Sequence, residues 1–124
     1  MCGIAATFNQ KPDGRTRSEL ERSIRLARHR GPDGEGVVTG DLEKAFGEST
    51  AAPAIWGLAH ARLAIVGLGD QGHQPMVDRR GRRWLSFNGE IYNHREIRKE
   101  LEAEGVAFST NTDTEVLLEA WSFW

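Results

Sequence analysis

A chain of 124 residues with a net charge of −2 and a single cysteine has room for one domain with its own core. The lone cysteine excludes an internal disulfide framework and suits a reducing compartment, and the near-neutral charge excludes a global pull toward nucleic acid or anionic membrane. No apolar run approaches the ~20 residues of a membrane span and no basic-then-apolar leader opens the chain, so the expected setting is the cytoplasm.

Gly3–Phe8 is short and apolar and reads as a buried strand. Asn9–Arg15 reads as a turn around Pro12-Asp13-Gly14. Thr16–His29 is the first expected helix. Thr16 with Glu19 and Ser18 with Glu21 both have capping-box spacing, and Leu20, Ile24 and Ala27 repeat at helical intervals. Gly31-Pro32-Asp33-Gly34 stops it. Gly36–Gly40 reads as a strand, Asp41–Pro53 as a loop or irregular hairpin, and Ile55–Val66 as one or two strands with His60 and Arg62 embedded. Gly67–Pro75 is glycine-rich loop. Arg79-Arg80-Gly81-Arg82-Arg83 forms a hairpin tip between Met76–Val77 and Trp84–Phe87. Asn93 with Glu96 again has capping-box spacing, followed by Ile97 and Leu101 and a natural stop at Gly105. Val106–Ser109 reads as a short strand. Thr112 with Glu115 opens a last helix whose expected apolar face carries Val116, Leu117, Ala120 and Trp121. The aromatic cluster Trp121-Ser122-Phe123-Trp124 needs burial, and the expectation is that further sequence or a partner covers it.

The chemistry begins at the second residue. Once Met1 is removed, Cys2 carries a thiol nucleophile and a free α-amine together. An α-amine titrates near pH ~7.7–8.0, so part of it is unprotonated at neutral pH and can act as base for its own side chain. By itself a lone cysteine is more often a small buried hydrophobe. Five further segments decide the matter. They are Arg28-His29-Arg30-Gly31-Pro32-Asp33-Gly34, His60-Ala61-Arg62-Leu63-Ala64-Ile65, Gln74-Pro75, Phe87-Asn88-Gly89-Glu90-Ile91-Tyr92-Asn93-His94 and Asn111-Thr112-Asp113-Thr114-Glu115.

Read in order after Cys2-Gly3-Ile4-Ala5, these segments resemble the glutamine-hydrolysing domain of asparagine synthetases. That domain is a class II (type 2) glutamine amidotransferase of the N-terminal nucleophile (Ntn) hydrolase superfamily. The resemblance spans residues 1–124 as one domain with no synthetase domain. It implies an α+β fold, an antiparallel sheet sandwich flanked by helices, incomplete here at the C-terminus. It also implies hydrolysis of the glutamine side-chain amide to glutamate and ammonia through a Cys2 thioester. In that resemblance Cys2 is the nucleophile, and the Asn88 side chain with the Gly89 N–H forms the oxyanion hole. Arg62 pairs with the substrate carboxylate, as a planar bidentate cation suits. Asp113 pairs with the substrate ammonium, Glu90 makes another substrate-side contact, and backbone groups at Leu63 and Ile65 add to them.

Read without the resemblance, Arg62 is a surface arginine, Asp113 a helix N-terminal charge, Asn88-Gly89 a hairpin turn and Arg28–Gly34 a helix stop. The last of these is expected to be structural in either case. The four histidines, His29, His60, His73 and His94, lack zinc-ligand spacing with Cys2, and His60 is the one expected to be buried. No cofactor or metal is expected for the glutaminase half, whereas ATP and magnesium belong to an absent synthetase domain. The expected partners are glutamine and a synthetase domain or subunit that accepts ammonia, with a homo-oligomer through the apolar C-terminus as a further possibility. The competing reading is a non-catalytic glutamine-binding or dimerisation module. A weaker one is a metal or nucleic-acid binder through the histidines or the basic hairpin.

Overall fold

Small residues alternate along the first and third strands, so a helix can lie close against one side of them. The computed structural model describes residues 1–9, 15–41, 55–64 and 70–124. Strands β1 (Gly3–Asn9), β2 (Gly34–Asp41) and β3 (Ile55–Arg62) form an antiparallel sheet in the order β1-β3-β2. Gly3 pairs with Ala61 and Asn9 with Ile55 on one side of β3, and Gly34 pairs with Arg62 on the other. The alternation of side chains then assigns the faces. Ala59 and Ala61 pack on Leu20 and Ile24 of helix α1 (Thr16–Leu26), in a core extended by Ala5, Ala27 and Val37.

His60 lies on the opposite face of β3. There its Nδ1 shares a 2.8 Å hydrogen bond with Ser86 Oγ, and the Trp56 ring meets Trp84 at a centroid distance of 6.2 Å. These contacts dock a second unit onto the sheet, the hairpin of β4 (Met76–Val77) and β5 (Trp84–Leu85). Its tip is organised by buried Asp78, whose Oδ1 accepts from the N–H groups of Arg82 and Arg83 at 2.7 and 3.1 Å. Asp78 Oδ2 receives the Ser122 hydroxyl at 3.2 Å, which ties the hairpin to the last helix. Burial alone raises the pKa of the Asp78 carboxyl. The two N–H groups, the Ser122 hydroxyl and the Arg83 guanidinium outweigh burial and hold it below its ordinary value. The basic cluster is therefore a turn wrapped around a carboxylate.

Helices α2 (His94–Ala103) and α3 (Asp113–Phe123) pack together beside the hairpin. Gly105 ends α2 with a φ of +87°, a left-handed conformation that favours glycine. It donates to Glu102 O at 3.0 Å while Val106 donates to Leu101 O at 2.9 Å, the bond pair of a Schellman stop. Thr112 caps α3 by accepting from Glu115 N–H at 3.3 Å. The Glu115 carboxylate turns outward from the helix and takes the N–H groups of Ser109 and Thr110 at 2.7 and 2.6 Å. That arrangement corrects the strand expected over Val106–Ser109. The Ser109 amide is consumed by a carboxylate, so no strand ladder forms there.

Other expectations are corrected as well. Helix α1 ends at Leu26, and residues 27–30 continue as turns. Neither capping box at its start forms. Thr16 is drawn into the core, where its hydroxyl has no hydrogen-bond partner, and Ser18 Oγ donates to Arg15 O at 2.8 Å. Asn93 occupies the cap position of α2, but its side chain makes no capping bond. On α3 the buried apolar residues are Val116, Leu118 and Ala120, while Trp121 is 58% exposed and lies against the Arg83 guanidinium at 5.8 Å. Trp124 is exposed too. Residues 10–14 of the expected 9–15 turn, 42–53 of the expected 41–53 loop and 65–66 of the expected 55–66 strand region lie outside the described residues, and the strand itself ends at Arg62. No helix among the described residues is long and apolar enough to cross a membrane.

Two measurements test this architecture. His60 is fully buried, and desolvation, then the positive charges of Arg62 and His73, push its pKa down to about 4. Between about pH 6.5 and 4 the unfolded chain therefore binds more protons than the folded one, and stability falls as pH falls through that window. A shift of this size is worth on the order of 3 kcal/mol. Urea unfolding at pH 7.5 and 4.5 is expected to show the loss, and a His60→Gln variant should flatten it; an equal slope in the variant contradicts the assignment. Glu115→Ala strands the Ser109 and Thr110 amides and should lower unfolding free energy by about 2–3 kcal/mol. A loss below about 0.5 kcal/mol, no larger than an ordinary surface substitution, would show that the carboxylate is dispensable.

Candidate active site

The antiparallel register brings the chain's start to the far end of β3. Gly3 faces Ala61, so Cys2 lies alongside the residues that follow the strand. Leu63 N–H donates to Cys2 Sγ at 3.3 Å, and the thiol faces Leu63 O at 3.9 Å. The half-buried sulfur is thus clasped by one peptide unit on each side of Leu63. That segment is itself pinned. Asp33 N–H donates to Arg62 O at 2.9 Å, and Asp33 Oδ2 accepts from Ala64 N–H at 2.8 Å. Asp33 is the residue through which the Arg28–Gly34 stretch reaches the segment beside Cys2.

The nitrogen of Cys2 points elsewhere. It donates to Asn88 Oδ1 at 3.0 Å. A peptide N–H can only donate, so the carboxamide oxygen must face Cys2 and the Asn88 NH2 group is turned the other way. With Met1 in place this nitrogen is an amide with no lone pair to offer, and Met1 itself lines the mouth of the site.

A cavity of about 290 Å³ opens beside Cys2. That is close to the lower end of the ~300–1,000 Å³ typical of small-molecule sites. Cys2, Arg62, Leu63, Asn88, Gly89, Glu90 and Asp113 all line it. Every described residue to which the resemblance gives a site role therefore lines one cavity. Ile65 lies outside the described residues. The charges are distributed, with the Arg62 cation and the Glu90 and Asp113 carboxylates around the same opening. Such a rim suits a ligand that carries both signs. Among the described residues no cluster of His, Cys, Asp and Glu could hold a metal ion.

Asp113 is placed by α3. It is the first residue of that helix, where the N-terminal dipole favours a negative charge. Its Oδ2 accepts from Ile91 N–H at 3.0 Å, which fastens the Asn88–Glu90 segment to the helix. Arg62 is placed partly by Gly72, because a Cβ at position 72 would collide with the guanidinium. Sequence reasoning assigned no role to Gly72, Asp33 or Gln74. Asp33 and Gln74 stood inside segments already singled out, whereas Gly72 stood only within the stretch read as glycine-rich loop.

A family model described as a glutamine amidotransferase domain matches residues 1–124. The chain is 36% identical over 124 residues to asparagine synthetase [glutamine-hydrolyzing] 1 of Bacillus subtilis (strain 168), covering 98% of this chain and 17% of that protein. It is 38% identical over 119 residues to asparagine synthetase B [glutamine-hydrolyzing] of Escherichia coli (strain K12), covering 95% of this chain and 19% of that protein. A glutamine--fructose-6-phosphate aminotransferase [isomerizing] of Methanothermobacter thermautotrophicus is 34% identical over 132 residues, covering 94% of this chain and 22% of its own length. The chain therefore spans only a small part of the curated relatives it matches. A cysteine at the second position, a mixed-charge cavity beside it and a family match over the whole sequence converge on one assignment: the chain belongs to the glutamine amidotransferase domain family.

Proposed function

We propose that this chain hydrolyses the side-chain amide of glutamine and supplies the ammonia to a synthetase of the asparagine synthetase kind. The observation that carries this reading is the gathering of Cys2, Arg62, Asn88, Gly89, Glu90 and Asp113 around one cavity. Arg62 pairs with the α-carboxylate of glutamine and Asp113 with its α-ammonium, with Glu90 as a further contact and the Leu63 and Ile65 backbone completing the cradle. In that pose the side-chain amide reaches toward Cys2.

Removal of Met1 bares the α-amine of Cys2. The amine accepts the thiol proton as sulfur attacks the amide carbon. The carbonyl oxygen becomes an oxyanion, held by the Asn88 NH2 group and the Gly89 N–H. The C–N bond then breaks, the amine returns the proton to the leaving nitrogen, and ammonia departs. Water attacks the resulting thioester and releases glutamate and the free thiol. The hydrogen bond from the Cys2 nitrogen to Asn88 Oδ1 supports this division of labour, since it directs the opposite end of the carboxamide away from the amine. The α+β architecture, with helix α1 layered on an antiparallel sheet, is compatible with the Ntn-hydrolase sandwich proposed here as its fold. The ammonia acceptor, with any ATP and magnesium, belongs to a synthetase domain or partner subunit.

The test is ammonia release by the Met1-free chain, its N-terminus verified by mass spectrometry. Turnover is expected there and absent in Cys2→Ala and in protein retaining Met1. Asn88→Ala is expected to lower kcat by about 100- to 1,000-fold, the usual effect of losing one oxyanion donor. Gly72→Ala is expected to displace the Arg62 guanidinium and raise the KM for glutamine by roughly 10- to 100-fold, as loss of a charged hydrogen bond would. Glutamine binding with no ammonia from verified Met1-free protein would instead establish a non-catalytic binding module.

A further inference from the structure

The Asn88–Glu90 segment lies between two pinned amides. Ile91 N–H is held by Asp113 Oδ2 at 3.0 Å. Phe87 N–H is held by Gln74 Oε1 at 2.6 Å. The other end of the same carboxamide, Gln74 Nε2, donates to Thr114 Oγ1 at 3.4 Å. Thr114 adjoins Asp113 on α3, and both are buried. Gln74 therefore touches the residue before the Asn88–Gly89 pair and the residue after Asp113. It is itself buried, and its backbone lies against β2 so closely that a side chain at Gly36 would collide with the Gln74 carbonyl. The carboxamide is thus mounted on the sheet and reaches both walls of the cavity, which it also lines.

A glutamine serves both bonds at this position. Phe87 needs an acceptor, and one planar group supplies it alongside a donor for the Thr114 hydroxyl. A buried carboxamide bonded at both ends resists rotation, because turning it leaves two polar groups unpaired. We propose that Gln74 is a positioning residue, whose carboxamide sets the separation between the Asn88–Gly89 oxyanion donors and the Asp113 carboxylate. This rests on the glutamine-hydrolysis reading, in which those two groups grip opposite ends of one substrate. If their spacing changes, a substrate seated on Asp113 presents its amide off the line of the oxyanion donors. Misplacement by ~1 Å is enough to cost ~100-fold in rate.

The experiment is steady-state glutaminase kinetics on the Met1-free chain carrying Gln74→Leu, Gln74→Glu or Thr114→Val, with circular dichroism and thermal midpoints on each. Gln74→Leu is expected to lower kcat by about 10- to 100-fold and to raise KM, since both walls lose their tie. Gln74→Glu keeps an oxygen for Phe87 N–H and can accept from the Thr114 hydroxyl, so it should recover most of the kcat lost in Gln74→Leu. Thr114→Val releases only the Asp113 side and should raise KM more than it lowers kcat. A role confined to stability would lower the midpoint of each variant and leave KM at the parent value. A folded Gln74→Leu with parent kcat and KM overturns the proposal. Should that variant fail to fold, an unchanged KM in Thr114→Val, or a folded Gln74→Glu no better than Cys2→Ala, overturns it instead. A parent chain that binds glutamine without turnover removes the hydrolysis reading alone, and Gln74 is then judged by Kd, with parent affinity in Gln74→Leu counting against it. A parent that does not bind glutamine overturns both.

Discussion

The pairing register of β1 with β3 is the constraint from which the site follows. Gly3 opposite Ala61 puts the second residue of the chain next to the peptide units that follow Arg62. Side chains alternate along a strand, so a slip of one residue would exchange the two faces. Ala59 and Ala61 would leave α1, and buried His60 would be forced against Leu20 and Ile24. The packing of α1 therefore enforces the alignment that sets the thiol beside Leu63. Core and chemistry share one determinant: small residues facing the helix, and the same strand ending at Arg62 on the cavity side.

The side of the cavity formed by the 87–91 segment and the start of α3 is built differently. It has no long strand and relies on polar side chains to fix irregular backbone. Glu115 and Thr112 shape the approach to α3, Asp113 and Gln74 hold the two ends of the 87–91 segment, and Asp78 holds the hairpin tip. These are buried or half-buried groups bonded to backbone amides, where each lost partner leaves an unsatisfied donor. A wall of this kind positions N–H groups closely. A sheet edge would have spent those same groups on its ladder.

Local signals served well where the stabilising contact is itself local. The Thr112–Glu115 pair at the start of α3, the Gly105 stop and the two short strands around the arginine turn were all legible. The capping boxes at Thr16, Ser18 and Asn93 had the same spacing and failed. Spacing makes a cap available, but the core claimed Thr16, and Ser18 lies one turn inside the helix facing a carbonyl. The strand expected at Val106–Ser109 lost its amide to Glu115, a contact across six residues that periodicity does not register. Cys2, Arg62, Asn88, Gly89, Glu90 and Asp113 were recognisable by type and order, whereas the contacts of Asp33, Gly72 and Gln74 were not.

By itself the sequence determined which polar and nucleophilic groups exist and in what order: a thiol at position two, an arginine at 62, a carboxamide followed by a glycine at 88 and 89, and an aspartate at 113. Only the tertiary structure decided that they share a cavity. Cys2 and Asn88 are 86 residues apart and meet at 3.0 Å. Nothing local encodes that distance. It results from a strand register imposed by helix packing and from residues such as Asp33, Gly72 and Gln74, whose contacts appear only once distant backbone segments are side by side. Such contacts depend on spatial separation, whereas a linear chain records only separation along itself.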